Sequence, residues 1–182
     1  MRLCALFILS VSLIVLLVGC KREEPTKGPE YLMTSTVREI MGSMVMPSAD
    51  ALWNAVSSTV TDKGTIDKVP TTELEWKDVR SKAITIMEAS DLILIPGRHV
   101  AAPGQTAQDP KVNLSPEQIQ KMIADDPASW TKFAHAMHES VVPALKAIDA
   151  KDSTALSDAG EGIDKACENC HLKFWYPGDA KK

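Results

Sequence analysis

The sequence predicts an all-α protein, an antiparallel four-helix bundle. Three observations carry that expectation. Apolar residues recur at three- and four-residue intervals over four long stretches, Ser, Thr and Asp stand at helix-capping positions, and no stretch alternates apolar and polar residues convincingly. A helix of about 20 residues is about 30 Å long, so four of them can enclose one core.

The first helix follows Pro29 and carries Met33, Val37, Ile40, Met41, Met44 and Val45 on one stripe. Pro47 removes a hydrogen bond at a cost of roughly 3 kcal/mol in a helix interior. Leu52, Trp53, Val56 and Val60 carry the stripe onward, so the reading is one bent element running to about Thr61. A polar loop then leads from Asp62-Lys63-Gly64 to Thr72, which forms a capping box with Glu75. The second helix places Trp76, Val79, Ala83, Ile86, Ser90 and Ile93 on its seam and stops at Pro96-Gly97.

From Pro96 to Leu114 the chain has no period and reads as a long loop, of the kind that carries function or moves. Ser115-Pro116-Glu117-Gln118 opens a short helix with a capping box and a proline at its first position, and Leu114 and Ile119 are spaced as a hydrophobic staple. Asp126-Pro127 opens the third long helix, whose stripe is Trp130, Phe133, Met137, Val141, Leu145 and Ile148. Pro143 is expected to kink it, because a proline pushes the preceding Val142 away from helical geometry. The fourth begins near Asp152-Ser153 and presents Leu156, Ala159, Ile163, Ala166, Cys167, Cys170 and Phe174 on one face. Gly160 and Gly162 weaken it by about 1 kcal/mol each relative to alanine, which points to close approach by a neighbour or a bound group.

The N-terminus has the layout of a secretory signal over residues 1–19: Arg2, an apolar run from Leu3 to Val18, then Gly19-Cys20 and the polar Lys21-Arg22-Glu23-Glu24. The run is slightly short for a membrane span of about 20 residues. Leu17-Val18-Gly19-Cys20 resembles a bacterial lipobox, which implies that Cys20 is acylated and tethers the mature protein to a membrane. Residues 20–30 are charged, contain Pro25, Gly28 and Pro29, and read as a flexible tether to a domain over residues 31–182. Together these features imply the periplasm, with either membrane as the anchor. The net charge is −4, and loss of Arg2 makes it one unit more negative. No basic patch speaks for nucleic acid, and an acidic surface suits a partner with a positive docking face.

Cys167-Glu168-Asn169-Cys170-His171 is a C-x-x-C-H motif, which in an exported protein signals attachment of haem c, here one per chain. On a helix, residues three and four apart share a face, so two thiols and an imidazole can grip one flat group, with His171 as the proximal iron ligand. A disulfide or half of a zinc site are the other readings of such a pair. Zinc would need a second ligand pair, and His135 and His138 come nearest to supplying one.

Helices of this pattern with C-x-x-C-H on the last of them resemble the class II c-type cytochromes, the cytochrome c-prime family. The resemblance spans roughly Tyr31 to Tyr176, and its specific part is Cys167, Cys170, His171 and their helix. It implies that residues of the first helix, here around Arg38 to Val45, cover the opposite face of the iron. In such proteins either a methionine closes that face, giving a low-spin His/Met centre, or a bulky apolar residue leaves the iron open to small gases. Met41 is the first candidate for a distal ligand and Met44 the second; both can equally be core filling. Arg38 is similar to the arginine that contacts a haem propionate in this family, and Arg98 is a weaker candidate. His99, in a loop after Pro-Gly, is expected to face solvent. The resemblance also implies pairing of two copies through first helices, with Ile40 and Trp53 as candidate contacts.

The leading expectation is therefore a lipid-tethered periplasmic one-electron carrier that docks on a redox partner protein. The alternatives are a five-coordinate haem that binds or sequesters nitric oxide or carbon monoxide, and an interaction lipoprotein in which the motif is coincidental. An enzyme is not expected: no G-x-S-x-G, H-E-x-x-H, P-loop or dinucleotide signature is present, and Asp125-Asp126 is explained as a helix start.

Overall fold

The structure, a computed structural model, describes residues 30–178. The expected signal, the expected acylation site at Cys20 and the expected tether up to residue 29 lie outside the described residues. The chain divides into two units, Met1–Leu32 and Met33–Lys182, and every element below belongs to the second. That unit is mostly helical, with one small two-stranded sheet.

The first helix begins at Val37, later than its apolar stripe implied. It comprises α1 (Val37–Ile40), a π-helical turn (Met41–Val45) and α2 (Met46–Ala55). Thr36 and Glu39 form a capping box: the Thr36 hydroxyl accepts from the Glu39 N–H at 3.2 Å, and the Glu39 carboxylate accepts from the Thr36 N–H at 2.8 Å. Thr36-Val37-Arg38-Glu39 is a readable start signal that the stripe obscured. The next N–H groups, of Val37 and Arg38, donate to the carbonyls of His99 and Val100 at 2.9 and 3.0 Å. Donors that a helix start leaves unpaired are thus satisfied by the long loop.

Pro47 does not break this helix, because it falls in the first turn of α2, directly after the π turn. There the Met46 N–H bonds the Met41 carbonyl five residues back. The buried positions are Val37, Ile40, Val45, Ser48, Ala49, Leu52 and Ala55. The step from Ile40 to Val45 is longer than the three or four residues an α-helix allows, and the π turn absorbs the extra one.

The helix ends at Ala55 rather than near Thr61, and the expected loop is a hairpin. Ser57–Thr61 (β1) pairs antiparallel with Gly64–Lys68 (β2), with Thr61 opposite Gly64 and Ser57 opposite Lys68. Val56 to Thr61 is a run of β-branched and hydroxyl residues, which lose side-chain freedom or compete with the backbone in a helix. Gly64, at φ 119°, takes a backbone conformation that other residues avoid. Val60 is 83% exposed and Ile66 62%. With no buried face, the hairpin has no apolar alternation to reveal it.

The remaining helices open where their caps predicted. They are α3 (Glu73–Leu92) behind Thr72, α4 (Pro116–Asp125) behind Ser115, α5 (Pro127–Asp149) behind Asp126 and α6 (Ser153–Phe174) behind Asp152. Pro143, expected to kink α5, lies inside it without ending it. Helix α5 packs extensively against both α6 and α3, and that burial outweighs one missing N–H. Ala83, Ala89, Ala134 and Ala144 are fully buried or nearly so, which lets the helices approach closely.

Gly160 meets its expected neighbour, and it is Trp53. A Cβ there would lie 3.0 Å from the indole Cδ1, and the indole N–H donates to the Gly160 carbonyl at 3.2 Å. Gly162 is exposed with nothing within 4 Å of such a Cβ, so close approach does not explain it. Ile40 is 2% exposed and Trp53 is committed to α6. Ile40 is therefore not available for the contact between copies expected of it, whereas Trp53 is only half-buried.

Candidate functional site

A cavity of about 400 Å³ lies among α1, the π turn, α5 and the end of α6. Its size falls within the roughly 300–1,000 Å³ typical of ligand pockets. Arg38, Met41, Gly42, Val45 and Met46 line it from the first helix, and Trp130, Phe133, Ala134 and Met137 from α5. Both sets have helical spacing, so each is one face of its helix. Cys167, Cys170 and His171 line it from α6, the face that the motif predicted. Trp175 and Tyr176 follow them, and Gln108 and Asn113 reach it from the long loop.

The candidate distal methionines are separated. Met41 lines the cavity, whereas Met44 is half-buried and packs against the core without lining it. Arg38 also lines the cavity, and its Nη1 donates to the Thr106 carbonyl at 2.8 Å, which fixes the guanidinium to the loop. Arg98 is not at the cavity. Its Nε donates to the Leu92 carbonyl at 2.7 Å and its Nη1 to the Ser35 carbonyl, so it ties helix α3 to the start of α1. His99 is exposed, as expected. A second hollow of about 430 Å³ beside His99 and Lys121 holds none of the thiols or methionines. Among the described residues, no three His, Cys, Asp or Glu side chains gather as a metal cage; His135 is exposed and His138 half-buried.

Burial dominates the electrostatics of the motif. Both cysteines are free thiols. Burial, then the neighbouring Cys167, pushes the Cys170 thiol up to about 12; burial, then the Asp164 carboxylate, pushes Cys167 up. His171 is pushed down by burial, against the opposing pull of the Glu168 carboxylate. At neutral pH the site therefore offers two protonated thiols and a neutral imidazole with a free lone pair.

The chain after α6 wraps this imidazole. The N–H groups of Trp175 and Tyr176 both donate to the His171 carbonyl, at 2.8 and 3.0 Å. Their rings lie 5.9 and 5.8 Å from the imidazole. Trp175 is stacked on Trp130 at 6.5 Å, and Trp130 meets Phe174 edge-on at 5.3 Å. The Lys173 ammonium pairs with Asp126 at 3.1 Å, joining the end of α6 to the start of α5.

These residues fit a covalently held haem. Two thiols and an imidazole share one helix face, a thioether lines the same cavity from another helix, and the walls are apolar and aromatic. Sulfur and imidazole donors suit iron in a porphyrin rather than a hard cation. Sequence reasoning missed the α5 wall, because Trp130, Phe133 and Met137 carry the same spacing as ordinary core. It also missed Gln108 and Asn113, since an aperiodic loop gives no such signal. No family model matches the chain, and no curated protein or solved structure does.

Proposed function

We propose that this protein is a c-type cytochrome: an antiparallel four-helix bundle with haem c on its C-terminal helix, tethered through Cys20 in the periplasm. Its role in this reading is one-electron transfer to or from a redox partner protein. One observation carries the proposal: Cys167, Cys170 and His171 of the motif line one cavity together with Met41 and Arg38, the residues that the family resemblance named on the first helix.

In this reading Cys167 and Cys170 would hold the porphyrin through thioether bonds, and His171 and Met41 would supply the protein ligands of the iron. Bound haem supplies a one-electron couple, with thioether ligation raising its potential. The chain's own residues do the rest. Val45, Phe133, Ala134 and Met137 exclude water from the pocket, and a drier pocket tunes the potential of a metal centre. Arg38, fixed by the Thr106 carbonyl, retains guanidinium donors for a carboxylate at the cavity edge. No substrate chemistry is required, and docking is transient and salt-dependent.

The apolar wall beside Met41 also favours a second reading, in which Met41 packs without coordinating and the iron binds nitric oxide or carbon monoxide. Absorbance spectra of the soluble domain, matured with haem and recorded oxidised and reduced, decide between them. Electron transfer through a His/Met centre predicts sharp low-spin bands that carbon monoxide leaves unchanged. High-spin bands that shift with carbon monoxide would make gas binding the function instead.

A further inference from the structure

We propose that Tyr176 and Glu168 form a latch beside His171 that sets the midpoint potential of the haem-loaded protein. The inference rests on the preceding reading and names two positioning residues, neither of which is an iron ligand.

The latch follows from how α6 ends. With the N–H groups of Trp175 and Tyr176 turned onto the His171 carbonyl, both rings come to the imidazole, tilted 57° and 55° to it. The turn is held from outside, since the Leu114 N–H donates to the Trp175 carbonyl at 2.8 Å. The Tyr176 hydroxyl then donates to Glu168 Oε2 at 2.7 Å. Glu168 precedes His171 by three residues and so projects from the same side of the helix. The carboxylate is part of the C-x-x-C-H motif itself, so the ring beside the ligand is fastened to the segment that would carry the porphyrin.

The sign follows from charge. A carboxylate near a ligand favours the more positive, oxidised centre and lowers its potential. The tyrosine hydroxyl, by donating to that carboxylate, draws in part of its charge and weakens its field at the imidazole.

The test is a redox titration, followed by absorbance, of the matured parent and of Glu168→Gln, Tyr176→Phe and the double variant. Covalent haem content and far-UV circular dichroism of each serve as controls. Glu168→Gln is expected to shift the midpoint potential upward. Tyr176→Phe keeps the ring but drops the donor, and is expected to shift it downward. In the Glu168→Gln background, Tyr176→Phe should add almost nothing, because the hydroxyl acts through the carboxylate. Haem-loaded variants with unchanged potentials, shifts of the opposite sign, or additive effects in the double variant would overturn the latch while leaving the cytochrome reading intact. If one single variant loses its haem, the other still decides the sign. A parent that takes up no covalent haem would remove both.

Discussion

Met41 and Met44 differ by three positions and both pack against the core, yet only Met41 lines the cavity. If Met41 is the distal ligand, Met41→Ala abolishes the low-spin spectrum of the matured protein and opens the iron to carbon monoxide. Met44→Ala leaves the spectrum unchanged and lowers stability by about 2–5 kcal/mol at most, as for a truncated core methionine. Equal spectra for the two variants would contradict the assignment. Glu75 makes a different prediction, for acid. The backbone N–H of Thr71, then that of Thr72, with both hydroxyls, holds its carboxyl down to about 2. A carboxylate depressed in the folded state contributes stability that is complete above its ordinary value of 4.5 and lost as pH falls toward 2. Glu75→Gln keeps an acceptor without the titration, so its Tm should fall less steeply than the parent's across that window. Parallel Tm curves would show that the box adds no acid sensitivity.

Gly160 and Gly162 stand two residues apart on α6 and are predicted to respond oppositely to alanine. At Gly162 nothing opposes the Cβ, so Gly162→Ala should stabilise by about 1 kcal/mol through helix propensity. At Gly160 the Cβ would press on the Trp53 ring, and overpacking of about 1–3 kcal/mol offsets that gain. Thermal unfolding of both variants checks this, and a stabilising Gly160→Ala would show that the Trp53 contact gives way. The helix starts behind Thr72, Ser115, Asp126 and Asp152 were legible because a cap is local chemistry, written within four residues. The π turn was not, because it depends on which of two stripes the rest of the core selects, Met44 or Val45. Neither was the hairpin over residues 57–68, whose exposed strands leave no periodic trace.

The site gathers where α1 begins and α3 and α6 end, with the loop between α3 and α4 supplying Gln108 and Asn113. Its thiols and imidazole were legible because the C-x-x-C-H spacing puts them on one helix face, whereas Met41 and Arg38 were candidates only through the family resemblance, with the rotation of their helix left open. The residues that shape the cavity were less so: Trp130, Phe133 and Met137 look like core until another helix fails to fill the space beside them. The most direct test of the cytochrome reading is intact mass spectrometry of the soluble domain, expressed with haem-maturation machinery and denatured before measurement. A mass increase of one haem per chain, lost when Cys167 and Cys170 are both changed to serine, is the predicted result. A parent of unmodified mass under the same conditions would contradict the account and leave the cavity to some other ligand.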